Sequence, residues 1–205
     1  SNVYASTDEG KTIVLRGHAD VPMRSFDEHM IVQKKDGTLW MLVRTFDGLG
    51  ESFSSDGGFT WTPGHKSHID NPCSRFFIRR LKSGRLLMIN HYNFDQRIDL
   101  DDILQQGNVK SWKGRSHLTA MLSEDDGETW PYTLLLDERD EVSYPDAKEA
   151  DDGFIYVCYD HARVTEREIL MARFTEEEIL NGKLSNPESK LRVLVNKALG
   201  QPDVE

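Results

Sequence analysis

Ser54-Ser55-Asp56-Gly57-Gly58-Phe59-Thr60-Trp61 and Ser123-Glu124-Asp125-Asp126-Gly127-Glu128-Thr129-Trp130 share one pattern, Ser-x-Asp-x-Gly-x-Thr-Trp. A degraded copy, Ser6-Thr7-Asp8-Glu9-Gly10-Lys11-Thr12-Ile13, loses only the closing tryptophan. Five fixed positions in eight residues form a specific signal, and its chemistry is that of a turn. An aspartate carboxylate accepts hydrogen bonds from backbone N–H groups a few residues on, and glycine supplies the positive φ that a tight turn needs. Serine and threonine hydroxyls bond within the same loop. The tryptophan is large and apolar, so it pins the turn onto the hydrophobic layer beneath. Each copy follows a strand-like run, at residues 2–5, 49–53 and 116–122. The aspartate and tryptophan of the box therefore read as structural rather than catalytic.

This pattern is the Asp-box, and through it the chain resembles the sialidase-type β-propellers. The resemblance implies an all-β fold, six-bladed in an intact protein, with the boxes on loops away from the pocket. Asp8, Asp56 and Asp125 are spaced 48 and 69 residues apart. Four-stranded blades recur at about 40–50 residues, so the second interval holds one blade and an insertion. The insertion reads NFDQRIDLDDILQQGNVKSWKG over residues 93–114, a polar loop with one helical turn expected at 100–105. Alternation and turn signals give the last strands of one blade at 1–22, a blade at 23–70, a blade at 71–140, and a blade at 141–205. The last includes a short helix near 175–182, where Thr175 and Glu178 form a capping box and Gly182 is the stop. About three blades and a fraction fall short of the four to eight of a closed propeller. The chain is therefore expected to be the C-terminal half of a longer protein, whose open blade faces would favour self-association.

Composition excludes more than it specifies. A net charge of −10 argues against nucleic acid and anionic membrane surfaces as general partners. No run approaches the roughly 20 apolar residues of a membrane span. No glycine-rich phosphate loop and no His-x-x-x-His metal spacing occurs, so no cofactor is implied. Cys73 and Cys158 sit in or beside expected strands and read as buried free thiols. They leave the compartment open; a secreted or periplasmic setting is the expectation for the intact protein.

The likeness extends to a candidate site. Glu141-Val142-Ser143-Tyr144-Pro145-Asp146-Ala147, then Val157-Cys158-Tyr159-Asp160, then Glu168-Ile169-Leu170-Met171-Ala172-Arg173-Phe174-Thr175 resemble the last catalytic blade of sialidases. Tyr144 falls on the family's nucleophilic tyrosine, and Asp160 on an acidic residue that steadies an arginine. Gly114-Arg115-Ser116-His117-Leu118 resembles the strand presenting one arginine of the family's triad, which Arg115 matches. The resemblance implies an acidic glycan as partner. A sialic acid carries a carboxylate on its anomeric carbon; arginine forks grip it bidentately. A carboxylate nucleophile would be repelled there, and a neutral tyrosine serves instead. The chain also departs from the family. Alignment on Leu81 and Gly84 sets Arg75 where the family has the glutamate that activates the tyrosine, and His91 where it has an arginine.

A second constellation is Phe26-Asp27-Glu28-His29 with Arg44 and Glu51. Glu28 and His29 open an inner strand and Arg44 ends the next, so blade geometry expects Glu28, His29, Arg44 and Glu51 at pocket-facing positions as ligand contacts or acid/base groups. The expected ligand site therefore comprises Arg75, His91, Arg115, Tyr144 and Asp160, with His29 and Arg44. Three functions fit it: a sialidase-like glycoside hydrolase acting on an acidic sugar, a propeller polysaccharide lyase using tyrosine and histidine, and a non-catalytic carbohydrate-binding propeller.

Overall fold

The computed structural model describes residues 1–94 and 113–199. The insertion at 93–114, with its expected helical turn at 100–105, falls almost entirely outside the described residues. The chain divides into two compact units, whose described parts are residues 1–73 and residues 74–94 with 113–199.

The first unit opens with β1 (Asn2–Ala5) and β2 (Val14–His18), an antiparallel pair. It continues with β3 (Arg24–Gln33), β4 (Leu39–Thr45), β5 (Leu49–Ser54) and β6 (His65–Lys66), paired in that order. The second unit holds two such sheets. One is β7 (Phe77–Arg80), β8 (Leu86–His91), β9 (Leu118–Ser123) and β10 (Tyr132–Asp137); the other is β11 (Val142–Glu149), β12 (Phe154–His161), β13 (Glu168–Thr175) and β14 (Lys190–Lys197). Every neighbouring pair is antiparallel, and sequence neighbours are sheet neighbours. This is the meander of a propeller blade.

Residue type explains which strands lie deepest. Trp40-Met41-Leu42-Val43 on β4 and Leu86-Leu87-Met88-Ile89 on β8 are buried without alternation, as in strands packed on both faces. Each fully buried Leu, Ile, Val or Met of these runs contributes about 1.5–3 kcal/mol. On β12 the pattern alternates. Val157 and Tyr159 point inward and Cys158 outward, so Cys158 is exposed rather than buried as expected, while Cys73 is buried.

The three boxes build one turn. Asp56 accepts from Ser54 Oγ (2.8 Å), Thr60 N (3.0 Å) and Thr60 Oγ1 (2.6 Å), while Gly58 N donates to Ser54 Oγ (2.8 Å). Asp125 repeats this with Ser123, Thr129 and Gly127. Asp8 repeats it with Ser6, Thr12 and Gly10. The left-handed step covers two residues in each copy: Glu9 and Gly10, Gly57 and Gly58, Asp126 and Gly127. Trp61 packs against the cluster of Val3, Ala19, Val21, Met41 and Val43, and its indole N–H donates to the Gly58 carbonyl (3.0 Å). In the degraded copy Ile13 is exposed, yet the hydrogen bonds persist. The carboxylate, not the closing residue, therefore makes the turn.

The boxes carry a pH signature. Hydrogen bonds from the Thr129 hydroxyl and N–H hold the Asp125 carboxyl down at about 2, and those from Thr60 and Thr12 lower Asp56 and Asp8 likewise. A carboxylate depressed in the fold stabilises it above the unfolded-state pKa, and that stability is lost as pH falls through the folded value. The expected result is a melting temperature that drops between pH 4 and pH 2. Asp125→Asn, followed by thermal melts across that range, flattens the drop and lowers the melting temperature at pH 7.

Helix α1 (Glu176–Asn181) follows β13, and its capping box is present. Thr175 is the N-cap, Glu178 bonds back to it, and Gly182 ends the helix at φ 67°. Among the described residues no helix is long and apolar enough to cross a membrane.

Candidate functional site

The site of the second unit grows from one irregularity in β11. Pro145 lacks a backbone N–H, so the ladder to β12 cannot run through it unbroken. The register shifts between Ser143 and Asp146, and Tyr144 takes φ 57°. For a bulky residue this left-handed conformation costs about 1–2 kcal/mol.

The bulge gathers charged groups. Arg163, two residues beyond β12, lays its guanidinium 4.2 Å from the Tyr144 ring centre. That of Arg115 lies 5.7 Å from the same ring. Asp160, opposite Ser143 in register, accepts from Ser143 Oγ (2.6 Å) and from Arg163 Nε (2.8 Å) and Nη2. Arg115 is buried, and its carbonyl accepts from Val142 N (3.1 Å), tying it to the start of β11. Arg115, Glu141, Ser143, Arg163 and Val164 line a cavity of about 60 Å³. One water needs roughly 10–15 Å³ of such space, so the cavity has room for several waters or for a ligand group of that size.

Arg75 and His91 support this corner from outside it. Arg75 Nη2 pairs with Asp146 Oδ2 at 3.3 Å, and Asp146 also accepts from its own neighbour Ala147 N (2.9 Å). The His91 ring is buried; Nδ1 lies 2.9 Å from the Ser116 carbonyl and Nε2 lies 3.2 Å from Ser74 Oγ. A carbonyl only accepts, so Nδ1 bears the proton and Nε2 accepts from the serine. Both ring nitrogens are engaged inside the protein. His91 is thus corrected from an expected ligand contact to a support beneath the Arg115 segment.

His91 sets a second pH window. Burial pushes its pKa down to about 4, against the opposing pull of the Ser116 carbonyl and with help from the neighbouring Arg115 charge. The fold holds the neutral ring, whereas the unfolded chain protonates near 6.5. Stability is therefore full above pH 6.5 and declines by about 3 kcal/mol as pH falls toward 4. Denaturant melts from pH 7 to pH 4 should show this decline in the protein and lose most of it in His91→Gln.

In the first unit, Arg44 is the penultimate residue of β4 and is 1% exposed. It donates to Glu28 Oε2 (2.7 Å), the Cys73 carbonyl (3.0 Å) and Cys73 Sγ (3.4 Å). Its guanidinium lies inside the unit, which corrects its expected place as a ligand contact. His29 is half-buried, with Nδ1 3.0 Å from the Asp27 carbonyl, and lines an open cavity of about 580 Å³ with Arg24, Asp27 and Ile31. Glu51 is an anchor: it accepts from Trp40 Nε1 (2.9 Å) and faces His65 Nε2 (3.2 Å).

Arg115, Tyr144 and Asp160 thus surround one bulge, with Arg75 and His91 bracing it. Arg163 completes the group and escaped the sequence reading. Its signal was the Asp160-x-x-Arg163 spacing at a strand end, which brings the two charges together only through the path of the following turn. Two guanidiniums beside a phenol and a carboxylate-sized cavity suit an anionic group. Asp160 and Asp146 are each engaged by an arginine.

Residues 2–157 match the profile of the family described as BNR repeat-like domain. No curated protein matches the chain in sequence. Among solved structures, a Hadza microbial sialidase superimposes with a TM-score of 0.54 at 24% identity, covering 76% of this chain and 29% of its own. The intramolecular trans-sialidase of Ruminococcus gnavus gives 0.59 at 18% identity, covering 89% and 39%. The leech intramolecular trans-sialidase gives 0.63 at 16% identity, covering 87% and 28%. At these identities the likeness is one of fold: a partial β-propeller of sialidase type. The chain spans well under half the length of each of these proteins.

Proposed function

From the premise that this chain belongs to the BNR repeat-like domain family, we propose that it carries part of the active site of a sialidase-like glycoside hydrolase acting on an acidic sugar. The observation that supports this is the corner in which Arg115 and Arg163 both face the Tyr144 ring beside a carboxylate-sized cavity. In this reading the two guanidiniums receive the sugar's carboxylate, with the bidentate geometry that an arginine fork provides. Tyr144 then faces the anomeric carbon to which that carboxylate is attached. A neutral phenol can approach there where an acidic side chain would be repelled. Asp160 positions Arg163, and Arg75 holds the bulge through Asp146.

One observation favours a second reading, a carbohydrate-binding propeller without turnover. Asp160 accepts from Ser143 and Arg163, and Asp146 from Arg75 and Ala147. Each carboxylate is thus held in place by an arginine as a brace of the bulge, which suits a rigid binding surface. Incubation of the longer protein that contains this chain with an aryl α-sialoside and with a uronate-containing glycan separates the readings. Release of the free acidic sugar is the expected result. An unsaturated, ultraviolet-absorbing uronate would identify a lyase, and saturable affinity without product would identify a binder.

A further inference from the structure

Asp146, Asp160 and Glu141 lie on or beside the Tyr144 bulge, and only the first two are engaged. Asp160 accepts from Ser143 and Arg163, and Asp146 pairs with Arg75. Glu141 is exposed, and among the described residues its carboxylate takes no hydrogen bond or ion pair. Yet it lines the same cavity as Arg115 and Arg163. Its backbone is pinned on both sides. The Glu141 carbonyl accepts from Ala162 N (3.1 Å), at the start of the turn that carries Arg163, and the next amide, Val142 N, donates to the Arg115 carbonyl (3.1 Å). Glu141 itself takes φ 61°, and Ala162 takes φ 48°. Left-handed steps at non-glycine residues persist where the surroundings over-determine them. The side chain thus leaves the backbone from a fixed point between the two segments that carry the guanidiniums.

The charges of the corner show what such a carboxylate does. Arg115 and Arg163 bring positive charge to the cavity, Asp160 neutralises the one it pairs with, and Glu141 opposes the other. A bare anion that enters gains the guanidinium donors but also meets the Glu141 charge. A ligand group that carries its own hydrogen-bond donor beside its carboxylate removes that conflict, because an ionised carboxylate is an acceptor only. The donor has to be close by. At roughly 10–15 Å³ for each water-sized group, a carboxylate and one or two further polar atoms fill the cavity of about 60 Å³. The space therefore reaches the carbon that bears the carboxylate and the substituent on it, and no further.

We propose that Glu141 sets the specificity of the corner: it accepts a hydrogen bond from a hydroxyl on the carboxylate-bearing carbon of the ligand, so that the site takes an α-hydroxy acid in preference to an acid without that donor. The inference rests on the acidic-sugar reading of the Tyr144 corner and adds to it the chemistry of the substituent next to the carboxylate.

The test is calorimetric titration of the longer protein that contains this chain, with free sialic acid and with its 2-deoxy analogue, which lacks only the hydroxyl on the carboxylate-bearing carbon. The unaltered protein should bind sialic acid about tenfold more tightly or better, the scale of a hydrogen bond to a charged acceptor. Glu141→Ala should bring the two affinities together from both sides. Sialic acid weakens, and the 2-deoxy acid tightens by about threefold, the scale of one exposed charge–charge contact. Glu141→Gln keeps an acceptor oxygen without the charge and should fall between. Both variants should melt as the unaltered protein does, because the Glu141 carboxylate leaves no partner stranded. Equal affinities in the unaltered protein, or a preference that survives in Glu141→Ala, overturns the inference and leaves the acidic-sugar reading in place. A parallel loss for both acids in Glu141→Ala also overturns it, since that marks Glu141 as a brace of the turn. Failure of either acid to bind the unaltered protein sinks the acidic-sugar reading and this inference with it.

Discussion

On the proposed function, Tyr144→Phe in the longer protein that contains this chain is expected to cut turnover of an acidic glycoside by about 10³-fold or more, while affinity for the free acidic sugar stays within about twofold. The substitution removes one oxygen and leaves the ring. Arg163 at 4.2 Å and Arg115 at 5.7 Å therefore keep the surface they stack on, and the cavity they line is unchanged. In the proposed reading Tyr144 acts as nucleophile in the transition state and the guanidiniums on the bound carboxylate, so the two contributions separate into kcat and dissociation constant. Arg163→Ala should behave oppositely, losing affinity because it removes both the fork and the partner of Asp160. Steady-state kinetics with an aryl glycoside, paired with calorimetric titration of the product sugar, reads both quantities. Unaltered turnover in Tyr144→Phe would remove the hydroxyl from the mechanism.

Glu178→Ala is expected to destabilise the second unit by about 3–5 kcal/mol, because it strands several donors around a buried charge site. Glu178 is fully buried on α1, which packs against β9 and β10. Its carboxylate accepts from Thr175 N (2.8 Å), Ser185 N (2.6 Å), Asn186 N (2.8 Å) and Ser189 Oγ (2.6 Å). One side chain thus ties the helix start to the whole connection leading into β14. Burial works to raise its pKa, but the donors from Ser189, Asn186, Ser185 and Thr175 outweigh it and hold the carboxyl below its ordinary value. The stabilisation is present above the unfolded carboxylate range and fades in acid. Urea unfolding at pH 7 should show a lower midpoint for Glu178→Ala, with Glu178→Gln in between, since its amide keeps one acceptor but sets N–H against N–H.

Local chemistry made the fold legible. Each box is closed by hydrogen bonds among residues two to four apart, so the pattern Ser-x-Asp-x-Gly-x-Thr carries its own structure wherever it stands. The capping box at Thr175 and Glu178 is legible for the same reason. Arg115, Tyr144 and Asp160 were marked by the family resemblance, and they come close together because two of them lie on paired strands, β11 and β12, and the third precedes β9. What escaped depends on depth and on loop paths. Arg44 and His91 read as ligand contacts at the ends of their strands, but β4 and β8 are buried nearly along their length and hold both residues inside. Alternation cannot reveal this, since a central strand has no solvent face to mark. Arg163 reaches Tyr144 only through the turn after β12, where Ala162 takes φ 48°. Cys158 misled because an apolar run around it suggested burial on both faces, whereas β12 alternates.

The acidic-sugar corner is tested most directly by titrating the protein with sialic acid and, in parallel, with its methyl ester. The ester keeps the ring, the hydroxyls and nearly the same shape, and removes only the charge. If Arg115 and Arg163 receive a carboxylate, the acid binds at least tenfold more tightly than the ester, the loss expected when a charge-assisted pair goes unmade, and Arg163→Ala brings the two affinities together. Equal affinity for acid and ester would contradict the assignment and leave the arginines as braces of the β11 bulge.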